Sequence, residues 1–580
     1  MLHFDALHVL ADHSVFMQKK IKNDDVFLVG GCVRDLLLWT VEKPLDIDLA
    51  MSADPKILYK KIDTVWLSHF MTEKYGTITL LPKSGDFHGV KYEITPFRTE
   101  WGYADHRHPD TVQRSDSILD DAARRDFSIN CIYYTSHQLS QIANKSFADK
   151  STVPYTDDDL LAALEKDGFA YFADLQLLVV QKHDLISQLF PHGKLDDIAL
   201  VAMSDFVKKA FQYNAKSKNA SKKNFQIVVD PFGGISALLE RKLRAVGDAD
   251  IRFYEDALRI IRAVRFVNVI NQKLTAKKSD QKIATFDFDS KTRGSLKKNF
   301  YQLQFVAKER IKEELCKIFK EGNPFWAIAI LDELNLLKFL FPALHANKYV
   351  DQPIRYHPFD VFAHTLLTLK SLQELNDDYL VRFGMLYHDV GKVDQYYTHT
   401  LPLDREEIRK TFGTWLNHVN SGVDHVAKDF GALWFSSKEI EAIQWYVAAH
   451  QKPGEILMSS PDKREKKLRI MLSEVWYEKV QNILDITIAD RLGQMNPLQN
   501  SADISDVEWL RVMLDRLNTE EGQFTMKELK LNGKDLMKEL KMTPGPQMGE
   551  LLDKAFEWVR DDIKGRNTKG KILAYVKKIL

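Results

Sequence analysis

The 580-residue sequence has few cysteines, no excess of charge of either sign and no long apolar run, and each shortage narrows what the chain can be. Its three cysteines, Cys32, Cys131 and Cys316, are scattered through apolar patterns without disulfide or zinc-binding spacing. A reducing compartment suits them. The 81 basic residues are balanced by 81 acidic ones, so total charge does not draw the protein toward nucleic acid, and any such contact must come from local clusters. No stretch reaches the apolar length that crosses a bilayer, and the amino terminus has neither a signal-peptide core nor an Arg-rich, acid-poor transit pattern. These features predict a cytoplasmic protein without membrane contact. Several compact units are expected at this length.

What is present begins with Phe27-Leu-Val-Gly-Gly-Cys-Val-Arg-Asp-Leu-Leu-Leu38. The apolar run Val26 to Val29 stops at Gly30 and Gly31, and a Leu-rich helical pattern starts near Arg34, which reads as strand, tight turn, helix. Two glycines let backbone approach an anion, and a helix start favours phosphate. Leu45-Asp-Ile-Asp-Leu-Ala50 follows. As a strand it puts Asp46 and Asp48 on one face, where two carboxylates repel unless a cation lies between them. Further on, Tyr75 to Leu81 and Val90 to Arg98 predict a hairpin that places Glu93 as a third carboxylate. Arg124 and Arg125, at the end of an acidic helix, supply fixed cations for a triphosphate, and Asp126 can accept from a ribose hydroxyl.

Residues 136–226 contain Asp157-Asp-Asp159, an apolar run Leu175 to Val180 and a Lys/Ser/Asn-rich tract from Lys208 to Asn224, read as a small folded excursion ending in a surface loop. Arg252 to Phe266 then reads as one helix, with Phe253, Leu258, Ile261 and Val264 available for packing. On it Asp256 and Arg259 stand at i and i+3 and share a face. Either they form an ion pair worth a few tenths of a kcal/mol, or they offer an acceptor and several donors to the edge of a base. Farther along, His364, His388-Asp389, His418 and Asp490 are ligand types suited to Mg, Mn, Ni, Fe or Zn. A basic end, Lys564 to Lys578, could engage RNA phosphates.

Gly30-Gly-x-Val-Arg-Asp35 with Asp46-x-Asp48 resembles the head of the class II nucleotidyltransferases, the family of CCA-adding enzymes and bacterial poly(A) polymerases. Asp121 to Cys131 is similar to that family's Arg-Arg-Asp-Phe-Thr-x-Asn-Ala motif, and Glu255-Asp-x-x-Arg259 resembles its protein template for base choice. His364, His388-Asp389 and Asp490 resemble an HD phosphohydrolase domain. The resemblance implies an α+β chain: an amino-terminal nucleotidyltransferase head with a small mixed β-sheet (1–135), an insertion of unassigned role (136–226), and the end of the head with an all-α neck for base recognition (227–345). An HD body (346–500) and a helical tail that contacts RNA (501–580) complete it.

The implied activity is addition of C, C and A to tRNA 3′ ends from CTP and ATP. Asp46, Asp48 and Glu93 would be catalytic, with Mg²⁺ on the two aspartates. Gly30, Gly31, Arg34, Arg125 and Asp126 would bind the nucleotide, Asp256 and Arg259 would read the base, and Arg262 would support them. His364, His388, Asp389 and Asp490 would hold the divalent metal of the HD site, with His418 and His450 as further candidates and Lys392 to hold phosphate. Gly76-Thr-Ile-Thr79 and the segment Arg98 to Pro109, which resembles the mobile loop of A-adding members, favour full CCA addition. The alternatives are an enzyme adding A alone, a poly(A) polymerase, and a metal-dependent phosphohydrolase with a nucleotide-binding head.

Overall fold

A computed structural model describes every residue except 1–2, 4–5, 24, 63–66, 73–75, 103–110, 138–155, 168, 173–176, 191, 193–224, 277–284, 353–357, 395–417, 495–502, 522–523 and 525. The chain divides into two compact units, Met1–Glu314 and Leu315–Leu580. Most of the segment like a mobile loop, and the tract from Lys208 to Asn224, lie outside the described residues.

In the first unit the strands are β1 (Val26–Val29), β2 (Asp46–Met51), β3 (Leu67–Thr72), β4 (Thr77–Pro82), β5 (Lys91–Pro96), β6 (Arg98–Trp101), β7 (Thr111–Arg114), β8 (Tyr133–His137), β9 (Phe169–Phe172), β10 (Leu177–Val180) and β11 (Phe225–Val229). Among the described residues, nine of them make one mixed sheet in the order β3-β4-β5-β2-β1-β8-β11-β10-β9. Strand β1 is near its middle and all four of its side chains are buried, the position an unbroken apolar run demands. Strand β2 alternates instead: Ile47 and Leu49 are buried while Asp46 and Asp48 face out.

The sheet is wider than the sequence suggests, because β8 continues into β11, β10 and β9. The apolar run of the inserted segment forms β10, which pairs in parallel with β11 and antiparallel with β9, so this segment extends the sheet. Residues distant in sequence are joined here by ladders that no local pattern announces.

The predicted single helix from Arg252 to Phe266 is broken. One helix runs Ala249–Glu255 and the next Leu258–Ala276. Asp256 leaves the helical region at φ −138°, ψ 97°, and its carboxylate accepts from the Leu258 N–H at 3.1 Å, as a capping aspartate does. Packing beyond the break is as expected: Phe253, Leu258, Ile261 and Val264 are all buried.

No strand occurs among the described residues of the second unit, which is built of helices. Helix Val361–Leu372 packs along helix Tyr477–Gly493, where Gly493 lies so close to Thr368 that a Cβ would collide with it. Helix Tyr379–Tyr387 likewise meets helix Ser437–Ala449 through Gly384, whose added Cβ would come 2.5 Å from that of Tyr446. The last helices close on a core of their own that includes Leu536, Leu551, Val559, Ile572 and Val576. No helix among the described residues is long and apolar enough to cross a membrane.

Candidate active site and candidate metal centre

The first unit holds a cleft of about 490 Å³ between the sheet and the helices around Asp256. Gly30, which has φ +78°, ends β1 and begins helix Gly31–Leu37 on its floor. A Cβ there would stand 3.1 Å from Asp48 Oδ2, so glycine keeps the turn close to the carboxylate. Register puts Asp46 opposite Lys91 and Asp48 opposite Glu93 across β2 and β5. Lys91 Nζ stands 2.7 Å from Glu93 Oε1 and 3.7 Å from Asp46 Oδ1, a monovalent counter-charge among three acids. Desolvation in the cleft raises the Asp48 pKa above the usual carboxylate range, Glu93 and Asp46 push the same way, and Arg125 opposes them. A carboxylate so placed gains most from a divalent cation.

The remaining wall of the cleft is rich in arginine. Arg124 and Arg125 both reach Asp121, which is fully buried: Arg124 Nη2 donates to its Oδ1 at 2.5 Å and Arg125 Nη2 to its Oδ2 at 3.0 Å. Tyr133 adds an O–H at 2.7 Å. Burial alone would raise the Asp121 pKa, but the two guanidinium groups hold it well below the ordinary range. Glu100 on β6 accepts from Arg98 at 2.6 Å and from Arg124 at 3.3 Å. Asp126 accepts from Arg262 at 2.9 and 2.5 Å and from the Asn130 amide at 3.0 Å, and its pKa is likewise held down against burial, chiefly by Arg262. Arg34 lines the cleft with its donors directed to Asp35 and Asn130, each at 2.7 Å.

Asp256 and Arg259 both line this cleft but do not form the side-by-side pair that one continuous helix predicts. The break between the helices falls at Asp256, and each side chain has its own partners. Asp256 is met by Arg310, at 3.4 and 3.2 Å, while Arg259 donates to Glu255 at 3.1 Å, to the Arg252 carbonyl at 2.9 Å and to the Arg124 carbonyl at 3.0 Å. The last bond ties Arg259 to the double-arginine motif. Sequence reasoning missed Asp121 as the shared anchor, Arg98 and Glu100 on the wall, and Arg310 as the partner of Asp256. Asp121 had a signal, since it precedes the arginines at the helical spacings i+3 and i+4. Arg310 had none.

The second unit gathers a different set of side chains. His364 comes from helix Val361–Leu372, His388 follows helix Tyr379–Tyr387 and is itself followed by Asp389, and Asp490 comes from helix Tyr477–Gly493. Nε2 of His364 and of His388 are 3.3 Å apart. Asp490 Oδ1 stands 3.0 and 3.6 Å from them, and Asp389 Oδ2 stands 3.5 and 3.2 Å. All four predicted ligands therefore meet around one point. Asp490 Oδ1 is buried without an aligned hydrogen-bond donor, the mark of a site that fits a cation. The His388 Nδ1–H donates to the Met385 carbonyl at 2.8 Å, which turns Nε2 inward. Burial would lower the His388 pKa, but Asp389 and Asp490 outweigh it and hold it up at about 10.

Lys392 reaches Asp389 Oδ2 at 2.6 Å and Gln352 at 2.7 Å. His418 and His450 gather on the other oxygen of Asp389. Among the described residues, groups of three such side chains whose ligand atoms all fall within 4.8 Å of one another occur in this unit and not at Asp46, Asp48 and Glu93. The basic end is partly neutralised: Lys569 pairs with Asp535 at 2.6 Å and Lys564 with Glu520 at 3.1 Å.

Three family models match the chain: Poly A polymerase head domain over residues 26–149, "Probable RNA and SrmB-binding site of polymerase A" over 285–348, and tRNA nucleotidyltransferase domain 2 over 424–576. A CCA-adding enzyme of Ligilactobacillus salivarius is 26% identical over 543 residues, 91% of this chain and 87% of its own length. A CCA-adding enzyme of Leuconostoc citreum is 28% identical over 320 residues, 54% of this chain, and the match spans about half (51%) of that relative's length. An A-adding tRNA nucleotidyltransferase of Deinococcus radiodurans is 27% identical over 327 residues, 56% of this chain and 68% of its own length. The solved structure of the Bacillus stearothermophilus CCA-adding enzyme in complex with CTP shares the fold, with 18% identity, a TM-score of 0.52, and coverage of 96% of this chain and 93% of that one.

Proposed function

We propose that the chain, whose segments match models of the Poly A polymerase head domain and of tRNA nucleotidyltransferase domain 2, adds C, C and A to tRNA 3′ ends, taking CTP and ATP with no nucleic-acid template. The observation that carries this reading is a single cleft in which Asp48 shares the walls with arginines for a triphosphate and with Asp256 and Arg259 for a base. The match to the head-domain model implies a divalent metal in the head.

The 3′ oxygen of the tRNA attacks the α-phosphate, a P–O bond forms, and the bond to the β-phosphate breaks to release pyrophosphate. Asp46 and Asp48, with Glu93 beside them, would hold Mg²⁺, which when bound acidifies the attacking hydroxyl and neutralises the leaving group. Arg125, fixed by Asp121, lies near Gly30 and Asp48 and would orient the triphosphate, with Arg34 beside it. Asp126 would accept from the ribose. Asp256 would accept from the exocyclic amine that cytosine and adenine share, and Arg259 would donate to the adjacent ring nitrogen. Uracil and guanine present a carbonyl and an N–H there and leave both groups unpaired, which gives strong discrimination. Arg262 supports this by holding Asp126.

In the same reading the second unit is an HD phosphohydrolase site acting on phosphates at RNA ends, which suits repair because transfer needs a free 3′ hydroxyl. His364, His388, Asp389 and Asp490 would hold a divalent Mg, Mn, Ni, Fe or Zn ion, which when bound activates water toward a phosphoester. Lys392 would hold the phosphate, and the basic end would meet the tRNA acceptor arm. The protein would work in the cytoplasm, with its tRNA.

The test is incubation with Mg²⁺, labelled CTP or ATP, and tRNAs ending at the discriminator base, at C or at CC. Completion of CCA on all three is expected. Long A tails overturn the assignment, and extension of the CC end alone moves the chain to the A-adding reading that the Deinococcus relative represents.

A further inference from the structure

The inserted segment grips the turn that follows it in the head. Strand β10 runs parallel to β11 with Val180 opposite Val229, and the residues just past the two strands are joined by side chain as well as by backbone. Gln181 Nε2 donates to Asp230 Oδ2 at 2.6 Å, and the Asp230 N–H donates to the Val180 carbonyl at 2.9 Å. Asp230 is fully buried, and its carboxylate also accepts from the Gly234 N–H at 2.6 Å and the Ile235 N–H at 2.8 Å, which fixes the start of helix Gly234–Leu239. Burial pushes the Asp230 pKa up to about 6, and its donors, Gln181 among them, favour the charged form against that burial. His183 holds the same turn: its Nε2–H donates to the Pro231 carbonyl at 2.8 Å, and its ring meets Phe232 edge-on with centroids 5.6 Å apart.

The turn in its own right supports the nucleotide motif. Helix Gly234–Leu239 begins against the short helical turn Ser128–Asn130, and a Cβ on Gly234 would collide with the Ser128 carbonyl, so neither can shift without the other. That turn carries Asn130, whose amide donates to Asp126 at 3.0 Å and accepts from Arg34 at 2.7 Å, and whose carbonyl accepts from Arg125 at 3.4 Å. Three residues assigned to the nucleotide therefore depend on one asparagine. The segment has a second hold on the same motif. Helix His183–Leu189 packs on helix Ile118–Ala123, which bears Asp121, and Phe190 meets the Phe27 ring of β1 at 5.5 Å. Widening a sheet requires only backbone ladders, whereas an amide on a buried carboxylate and an imidazole on a turn carbonyl fix a particular geometry.

We infer that Gln181 and His183 are positioning residues for the nucleotidyl transfer: acting through the Asp230 turn and Asn130, they set the Asp126 carboxylate against the 2′-hydroxyl and so govern the choice of ribonucleotide over deoxyribonucleotide. The inference rests on the ribose reading of Asp126 and gives the inserted segment a role in it. Neither side chain lines the cleft, so both act through other residues. A deoxyribose leaves the carboxylate without its donor, and that loss discriminates only while the carboxylate is held where the hydroxyl would lie.

The experiment compares incorporation of CTP and of dCTP into tRNA lacking its CCA end, using the full chain and its variants, and reads the ratio of the two kcat/KM values beside the unfolding midpoint in denaturant. Asp126→Asn is expected to collapse the ratio. Gln181→Met should lower it about tenfold, as one misplaced hydrogen bond to a charged group does, and Gln181→Asn, which keeps a donor, should recover part of it. Combining Asp126→Asn with Gln181→Met should lower the ratio no further than Asp126→Asn alone. His183→Phe, which keeps a ring on Phe232 and removes an exposed donor, should move the ratio the same way and decides the matter if Gln181→Met does not fold. A merely structural role would slow both nucleotides alike. An unchanged ratio in folded Gln181→Met or His183→Phe, beside a collapsed one in Asp126→Asn, overturns the positioning role and leaves the ribose reading standing. A ratio unmoved by Asp126→Asn overturns both, and a parent that incorporates neither nucleotide overturns the transferase reading beneath them.

Discussion

The two candidate centres solve opposite electrostatic problems. In the head cleft the principal acids are answered by the protein's own cations: Asp121 by Arg124 and Arg125, Asp126 by Arg262, Asp256 by Arg310, and Glu93 by Lys91. In the body, four imidazoles and two carboxylates converge, and Lys392 is the cation that an ion pair at 2.6 Å brings to them. The head is thus built to fold without its ligand and to meet a polyanion with guanidinium groups already oriented. The body instead concentrates donors whose burial a bound cation would compensate. Separation of the two chemistries can be read from this difference in counter-charge.

The largest effect expected from breaking the head's self-compensation is at Asp121. Asp121→Asn leaves two guanidinium groups short of a buried partner, and loss of one side of such a network costs about 3–5 kcal/mol. Denaturant unfolding should show it, together with a raised KM for the nucleotide. The head's carboxylates also set its response to acid. Because Asp121 and Asp126 are depressed in the folded state, the stability they contribute is present above the ordinary carboxylate range and is lost as pH falls through their lowered values.

In the body the corresponding break is removal of metal. An ion at 100 times its Kd stabilises its site by about 2.7 kcal/mol, so a chelator should lower hydrogen-exchange protection in helices Val361–Leu372 and Tyr477–Gly493 and leave β1 and β2 unchanged. The pH dependence here has the opposite sign to the head's. His388 is held at about 10 against an ordinary 6.5, so in the metal-free body its proton contributes stability that is fully present below 6.5 and lost as pH rises toward 10. A metal must displace that proton. Affinity measured by competition should therefore climb between pH 6.5 and 10, by up to about tenfold per unit.

The smallest effect is also the most specific. Arg259→Lys keeps the charge but loses the planar fork, and in the folded variant the preference for CTP over UTP should fall about tenfold, or ~1.4 kcal/mol. Unchanged selectivity would remove Arg259 from base recognition.

Much of this was legible in the residues. The run Val26 to Val29, the glycine pair and the alternation around Asp46 and Asp48 have only local causes, and the strand, turn and strand lie where the pattern puts them. His364, His388, Asp389 and Asp490 converge as the HD pattern implies. What stayed hidden depends on distance or on competition between local signals. The helical period from Arg252 to Phe266 concealed the break, because the Asp256 carboxylate caps a new helix instead of riding on the old one. Arg310 lies 54 residues from the acid it meets. The pairing of β8 with β11 and the division of Asp389 between two sets of histidines are likewise tertiary facts.

The most direct test of two separate centres is a paired measurement on Asp48→Ala and Asp389→Ala, each confirmed folded: incorporation of labelled CTP into tRNA lacking its CCA end, and tightly retained metal per chain. Asp48→Ala is expected to lose incorporation and keep the metal of the body, and Asp389→Ala to lose that metal and keep incorporation. Loss of incorporation in Asp389→Ala as complete as in Asp48→Ala would contradict the account.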